Sequence, residues 1–359
     1  MLAFTNRAFD NRFDNQKRFT RAYSPLSDTL NICDVALSSD RNPKWSLSNA
    51  VENASDQQIL TRLRDVFGSD KPVLLYVHGN NNTPKDCFER SMLLEEQYNI
   101  SVIPFSWTSE GYGPDGSDLS GIVVDRTNDV PDESLADVNS SNIGEGWIQR
   151  KIRRYSQAKV NAQHSHIALA RFLRLAASSR LATMKQPFSA AFHSLGCHFL
   201  HYAIEQPGTS AALAAAHNIS LIAGCTGAEK HTAWVGKIVP ERRVYIMYTN
   251  ADSVLMAARL VDGDVKLGTN PGANCLSAPH YRYIDFEGAS KMKLGAHRYF
   301  VADPGKKLSK RALRLFSRIF RSVDDLSRDE QPRRVYPLSC SPDGATCYMG
   351  TRSPIQGGG

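Results

Sequence analysis

The sequence predicts a doubly wound α/β fold, in which a mostly parallel sheet carries helices on both faces. Short apolar runs alternate with helical stretches from about residue 71 onward, which is typical of successive βαβ units. Several of the runs are apolar on both faces, as expected for strands covered by helices on both sides. The predicted strands are 72–78, 101–106, 188–193, 218–223, 243–249 and 281–286, and the predicted helices are 84–97, 156–178, 195–205 and 252–260.

The chain has 359 residues, which is more than one minimal domain needs, and its patterning divides it into three parts. Residues 1–70 form an N-terminal extension, and residues 71–303 form the predicted catalytic domain. A stretch rich in Gly, Asp, Asn and Ser at 110–150 interrupts that domain, and a substrate-covering lid and a disordered loop are equally compatible with it. Residues 304–359 form a basic amphipathic helix followed by a flexible tail.

The N-terminal extension carries weaker signals than the rest. Residues 1–30 are polar, and we expect them to be irregular. The segment 31–38 is a candidate edge strand, and 55–67 has apolar residues at helical spacing. The extension therefore predicts one strand and one helix.

Composition favours a soluble, cytoplasmic protein. No window approaches 18 uninterrupted apolar residues, and the first residues turn polar too soon for a secretory signal. The seven cysteines are far apart and form no Cys-x-x-Cys pair, so a zinc ribbon is excluded and reduced, mostly buried thiols are expected. Cys340 and Cys347 could close a small loop in an oxidising compartment. We expect no metal and no other cofactor.

The strongest candidate for chemistry is Ser194, at the end of an apolar strand and the start of a helix. A serine on such a turn projects its hydroxyl from the edge of the sheet, and the first helical N–H groups, such as that of Leu195, can bind a developing oxyanion. Gly196 supplies the small residue that a tight turn needs. Phe192 stands where a small residue is usual, which predicts a slightly opened turn. The alternative to a catalytic Ser194 is a chance match of this motif on a buried strand end.

A second turn lies at the matching place upstream. The predicted strand at 72–78 runs into His78 and Gly79, and in serine hydrolases of this layout the residue after such a pair gives the second oxyanion donor. That residue is Asn80. The alternative is an ordinary polar turn, but the order of the two motifs along the chain favours the functional interpretation.

The chain order Ser, Asp or Glu, His predicts an acid and a base downstream. Asp252 follows the strand at 243–249 and can also cap the next helix. His297 follows the last predicted strand, where a proton shuttle belongs. Asp262 and Asp264 are weaker candidates for the acid, and His280 is a weaker base because it precedes a strand; the remaining histidines are assigned to packing or surface roles.

These segments together resemble a family of uncharacterised, mainly bacterial α/β-hydrolases regarded as serine esterases. The specific part is Val-His-Gly-Asn-Asn-Asn-Thr at 77–83 and Phe-Ser-Trp-Thr-Ser at 105–109. Phe-His-Ser-Leu-Gly at 192–196 is shared more widely, and Asn-Ala-Asp at 250–252 and His-Arg-Tyr-Phe at 297–300 match the family's later acid and base regions. The resemblance implies the α/β-hydrolase fold and hydrolysis through a Ser-His-Asp triad. Phe192 and Thr108 depart from the family pattern.

The basic C-terminal stretch at 306–323 predicts an amphipathic helix. It carries seven Lys or Arg residues between 306 and 321, opposite an apolar side. One interpretation is a peripheral membrane or partner contact, and the favoured one is a terminal helix that packs its apolar side on the domain. The net charge of +7 permits nucleic-acid contact, but no motif supports it and we expect none.

The expected function is cleavage of a carboxylic ester, or a related acyl bond, of a small-molecule or lipid-like substrate. A different class of function, a non-catalytic binding or scaffold protein on the same fold, is kept as the alternative because of Phe192. The sequence does not distinguish ester, thioester and amide substrates, since all three use the same residues.

Overall fold

The computed structural model describes residues 1–24, 26–39, 43–118, 145–286, 297–303, 305–323, 339–340 and 346–348. The part of the predicted lid or loop at 119–144 lies outside the described residues, and so does most of the predicted C-terminal tail.

One large sheet forms the centre of the fold. The strands are β1 (Leu2–Thr5), β2 (Arg7–Phe9), β3 (Phe19–Tyr23), β4 (Asn31–Leu37), β5 (Trp45–Val51), β6 (Val73–Val77), β7 (Ser101–Ser106), β8 (Phe188–His193), β9 (Asn218–Ile222), β10 (Arg243–Tyr248), β11 (Tyr281–Asp285), β12 (Ser339–Cys340) and β13 (Thr346–Tyr348). Within the described ranges, eleven strands pair in the order β12-β13-β11-β10-β9-β8-β6-β7-β1-β4-β5, and β2 pairs with β3 separately. Only β4 and β12 run against the other strands of the large sheet, so that sheet is mostly parallel.

Helices flank the sheet in two groups. The helices are α1 (Asp56–Phe67), α2 (Pro84–Tyr98), α3 (Glu145–Thr183), α4 (Leu195–Ala203), α5 (Thr209–Ala214), α6 (His231–Val235), α7 (Ser253–Asp262) and α8 (Lys310–Phe320). α3 packs against α1, α4 and α5, whereas α2 packs against α8 and β7. The α/β class with a mostly parallel sheet is therefore confirmed.

None of the described helices combines the length and the apolar character that a membrane crossing requires.

The predicted irregular structure of residues 1–30 is wrong. β1 lies inside the large sheet, where Phe4 pairs with Phe105 of β7 and with Ile32 of β4. Leu2, Ala3 and Phe4 are buried. A run of four residues is too short to show a period, and its two partner strands lie about 30 and about 100 residues away, so local pattern could not reveal it. The candidate edge strand at 31–38 is β4, and β5 lies outside it as the actual edge.

The basic helix predicted at 306–323 is the shorter α8, Lys310–Phe320, and it packs on the domain. It begins after Ser309, whose side chain accepts a hydrogen bond from the Ala312 N–H at 3.1 Å. Its buried residues are Ala312, Leu315, Phe316, Ile319 and Phe320. The apolar side of α8 is therefore covered by the domain, and membrane contact through 306–323 stays a prediction.

The cysteines whose side chains are described are free thiols, namely Cys33, Cys87, Cys197, Cys225 and Cys275. Burial raises the pKa of Cys33 and of Cys87 to about 12, so both stay protonated at neutral pH. The pairing of β12 with β13 sets Cys340 opposite Cys347 in antiparallel register.

Because Phe316 is fully buried and packs on Phe286 and Phe300, Phe316→Ala should lower the free energy of unfolding by about 3–5 kcal/mol. Leu313→Ala, on the exposed side of the same helix, should change it by less than about 0.5 kcal/mol. Urea denaturation of both variants measures this difference. Equal effects would mean that the apolar side of α8 is not packed as described.

Candidate active site

Ser194 sits in a strained turn between β8 and α4. Its backbone has φ 52° and ψ −118°, a region that a residue with a side chain enters at a cost of about 1–3 kcal/mol. Gly196 permits the turn, because a Cβ there would lie 2.8 Å from the carbonyl oxygens of Val77 and His78. The turn therefore lies against the carboxyl end of β6, at the edge of the sheet where doubly wound folds bind ligands.

Phe192 does not enter this turn. Its side chain is fully buried in β8, where it pairs with Val77 of β6 and Leu221 of β9. The bulky residue therefore fills the core below the site, and the turn above it stays tight.

Gly79 brings the second turn into direct contact with Ser194. A Cβ at residue 79 would lie 2.7 Å from the Cβ of Ser194 and 3.2 Å from Nδ1 of His193. Only glycine fits this approach without displacing the serine. The two turns that the sequence placed at separate strand ends therefore meet at one point.

His78 holds the upstream turn from behind. Its Nε2 accepts a hydrogen bond from the Trp107 N–H at 3.1 Å, so its Nδ1 carries the proton and donates to the Gly79 carbonyl at 2.9 Å. Trp107 also donates from Nε1 to the His78 carbonyl at 2.9 Å. Burial lowers the pKa of His78 to about 3, so the ring is neutral at physiological pH. The sequence motif marks His78 but gives no sign of this side-chain role.

Asn82 completes the support of the turn. Its Nδ2 donates to the carbonyls of Asn80 at 2.6 Å and Gly79 at 3.3 Å, and its Oδ1 accepts from Arg90 at 2.7 Å. The C=O and N–H of a trans peptide point in opposite directions. With the Gly79 carbonyl fixed toward His78 and Asn82, the Asn80 N–H is directed to the other side.

Asp252 and His297 form the predicted acid–base pair. Oδ2 of Asp252 lies 2.7 Å from Nδ1 of His297, and both side chains are almost completely buried. Oδ1 of Asp252 accepts from the Leu255 N–H at 3.0 Å, so the carboxylate also caps α7. The two roles considered for Asp252 thus occur together.

His193 ties the base to the nucleophile turn. Its Nε2 donates to the carbonyl of His297 at 3.1 Å, and the two rings are 4.6 Å apart. Desolvation by burial holds the pKa of His193 well below its usual range. The prediction of a packing or surface role for His193 is incomplete, and its place directly before Ser194 is the signal in the sequence for a role in the site.

Tyr299 anchors the segment that carries His297. Its hydroxyl donates to the Met247 carbonyl and accepts from the Ala223 N–H, each at 3.0 Å. The segment is thereby fixed between the ends of β9 and β10, which sets His297 beside Asp252.

The weaker candidates lie elsewhere. Asp262 pairs with Lys159 at 2.8 Å and Lys266 at 2.5 Å, and Asp264 also pairs with Lys266. His280 directly precedes β11, at the amino end of the parallel strands. The structure pairs His297 with Asp252 and links the backbone of His297 to His193, which directly precedes Ser194; Asn80 and Leu195 lie in the two adjoining turns.

A groove of about 810 Å³ runs beside α2. Its walls include Arg90, which binds Asn82, and Arg298, which follows His297. Ser194, Asp252 and His297 are not among its walls, so the groove borders the candidate site without containing it. Lys85 and Glu89 place a positive and a negative side chain in its walls.

Because a Cβ at residue 79 meets Ser194, Gly79→Ala should lower the free energy of unfolding by about 1–3 kcal/mol. Gly224→Ala is the matched control, since its Cβ would meet nothing closer than 3.5 Å. Thermal unfolding compares the two. A loss from Gly224→Ala as large as that from Gly79→Ala would contradict the close approach of the turns.

The pKa of His78 predicts a pH dependence of stability. The unfolded chain takes up a proton at the ordinary value of 6.5, whereas folded His78 stays neutral down to about 3. The free energy of unfolding therefore falls as the pH drops below about 6.5, by about 1.4 kcal/mol per pH unit for this group. His78→Asn keeps a donor but does not titrate. Between about pH 6.5 and pH 5, its free energy of unfolding should therefore fall by about 2 kcal/mol less than that of the wild type. Urea denaturation at each pH tests this, and equal slopes would refute it.

Comparison with family models, with curated proteins and with solved structures gives no match. The geometry of the site is therefore the basis for assigning a function.

Proposed function

We propose that the protein is a serine hydrolase of the α/β-hydrolase fold that cleaves a carboxylic ester or related acyl bond. The observation that carries the proposal is the buried contact of 2.7 Å between His297 and Asp252 beside the strained turn of Ser194. A serine, an aspartate and a histidine in this chain order and at carboxyl strand ends are the groups that acyl transfer needs. The resemblance to bacterial serine esterases agrees with this proposal.

In the proposed mechanism, Oγ of Ser194 attacks the substrate carbonyl carbon and His297 takes its proton. The histidine then gives that proton to the leaving alcohol, and an acyl-enzyme forms. Water, activated by the same histidine, releases the acid and restores the serine. Asp252 holds the proton on Nδ1, which leaves the Nε2 side of the ring for this transfer, and stabilises the imidazolium.

The oxyanion of the tetrahedral intermediate is assigned to two backbone donors. The Asn80 N–H points away from the groups that hold the Gly79 carbonyl, and Gly79 touches Ser194. Leu195 is the first residue of α4, where N–H groups have no partner within the helix. Donors fixed in this way stabilise the developing charge without reorganising during the reaction.

The substrate class is a small-molecule or lipid-like ester, and the groove beside α2 is a candidate site for its non-reacting part. The proposal needs no cofactor. Among the described residues no group of His, Cys, Asp and Glu side chains is arranged to hold a metal ion.

The non-catalytic alternative depended on Phe192 opening the turn. Because Phe192 is buried below the turn and Ser194 has the strained geometry, Phe192 does not favour that alternative over catalysis. Strain at a buried turn costs stability and is typical of functional sites. We therefore favour hydrolysis.

A fluorophosphonate probe should label the wild-type protein and fail to label Ser194→Ala. Turnover of p-nitrophenyl esters of increasing acyl length should fall by about 10⁴- to 10⁶-fold in Ser194→Ala, because the nucleophile is lost. His297→Ala should lose a comparable factor because the proton acceptor is lost. Asp262→Asn is the matched control for the acid, since Asp262 pairs with lysines outside the site.

Equal labelling of wild type and Ser194→Ala would overturn the nucleophile. If Asp262→Asn lowers turnover more than Asp252→Asn does, the assignment of Asp252 as the acid is overturned. Absence of Ser194-dependent turnover at every acyl length would favour a binding protein.

A further inference from the structure

A buried ion pair lies behind the upstream turn. Arg7 of β2 and Glu110 contact each other twice, at 2.6 Å between Nη2 and Oε2 and at 2.9 Å between Nη1 and Oε1. Both side chains are almost fully buried. Since removing two charges from water costs free energy that their attraction recovers only in part, stability is a weak reason for such a pair.

The guanidinium of Arg7 also binds three backbone carbonyls. Nη2 donates to the carbonyl of Asn82 at 3.2 Å and to the carbonyl of Trp107, and Nη1 donates to Thr20 at 3.1 Å. Arg7 and Thr20 belong to the hairpin of β2 and β3. One planar group therefore joins the N-terminal hairpin to two segments of the candidate site.

Both of these segments hold the oxyanion turn. Asn82 fixes the carbonyls of Gly79 and Asn80 through its side chain, and the Trp107 N–H fixes the ring of His78. Arg7 binds the carbonyls of these same two residues, Asn82 and Trp107. A shift of the guanidinium would thus loosen the two supports that set the direction of the Asn80 N–H.

We propose that Arg7 is a positioning residue for the oxyanion turn, supplied to the site by the N-terminal hairpin. Glu110 orients the guanidinium, whose planar fork reaches several acceptors at once in a way that an ammonium group cannot. Arg7 touches neither Ser194 nor the substrate in this scheme and acts through Asn82 and Trp107. The inference rests on the proposed function for its effect on rate, whereas the placement of the turn is independent of it.

The test compares Arg7→Met/Glu110→Gln with Glu110→Gln. Glu110→Gln keeps the donors of Arg7 and an oxygen that accepts from them, but it removes the counter-charge of the buried guanidinium; the double variant removes the donors and both charges together. Thermal unfolding of both variants therefore establishes that each is folded at the assay temperature. The kcat for p-nitrophenyl butyrate, per serine labelled by the fluorophosphonate, should be about 10- to 100-fold lower in the double variant than in the single one. KM should agree within about 3-fold, since loss of a transition-state contact lowers kcat.

Two further readouts separate positioning from a structural role. Affinity for a trifluoromethyl ketone, which mimics the tetrahedral intermediate, should fall by the same factor as kcat. Hydrogen exchange of the amides at 79–83 should become faster in the double variant than in Glu110→Gln. Arg7→Lys should recover part of both losses.

Unchanged exchange at 79–83, or an unchanged kcat per labelled serine, would overturn the role of Arg7. Faster exchange in a protein whose wild type shows no Ser194-dependent turnover would instead overturn the proposed hydrolase and leave Arg7 as the anchor of the turn. The two failures are therefore distinguishable.

Discussion

The fold depends on the contact between the turns that follow β6 and β8. Gly79 and Gly196 let the two turns approach each other more closely than a Cβ at either position would allow. Ser194 adopts a strained conformation where the turns meet. Strain of this size persists only where the surroundings define the structure fully. Here the surroundings are two neighbouring parallel strands that are completely buried, so neither turn can retreat without disturbing the sheet.

Around this contact, buried polar groups position other polar groups instead of meeting solvent. His78 and Asn82 fix one turn, and His193 fixes the backbone of His297. Buried donors and acceptors without partners cost free energy, which explains why the network uses neutral rings and backbone carbonyls. The lowered pKa values of His78 and His193 follow from the same burial and keep both rings uncharged. The candidate site is therefore organised by buried residues, and Ser194, Asp252 and His297 are themselves buried.

An N-terminal hairpin and the helix α8 both contribute to this interior. The N-terminal hairpin brings Arg7 to the upstream turn, and α8 covers Phe300, three residues beyond His297. The basic character of α8 lies on its solvent side, because its apolar residues are needed for packing. Segments that appear peripheral in sequence thus stabilise the loops that carry the candidate catalytic groups.

The sequence alone determined the α/β class, the six central strands, and Ser194, Asp252 and His297 as candidates. Those signals are local, since buried parallel strands and strand-to-helix turns show in short runs of residues. Only the tertiary structure decided that β1 joins the sheet, that Phe192 points into the core, and that Arg7, His78 and His193 support the site. These features depend on partners about 30 to 100 residues away, as in the contacts of His78 and Arg7 with Trp107. An arginine in a polar N-terminal stretch carries no local sign of burial, because its burial is set by the carbonyls and the carboxylate that fold around it.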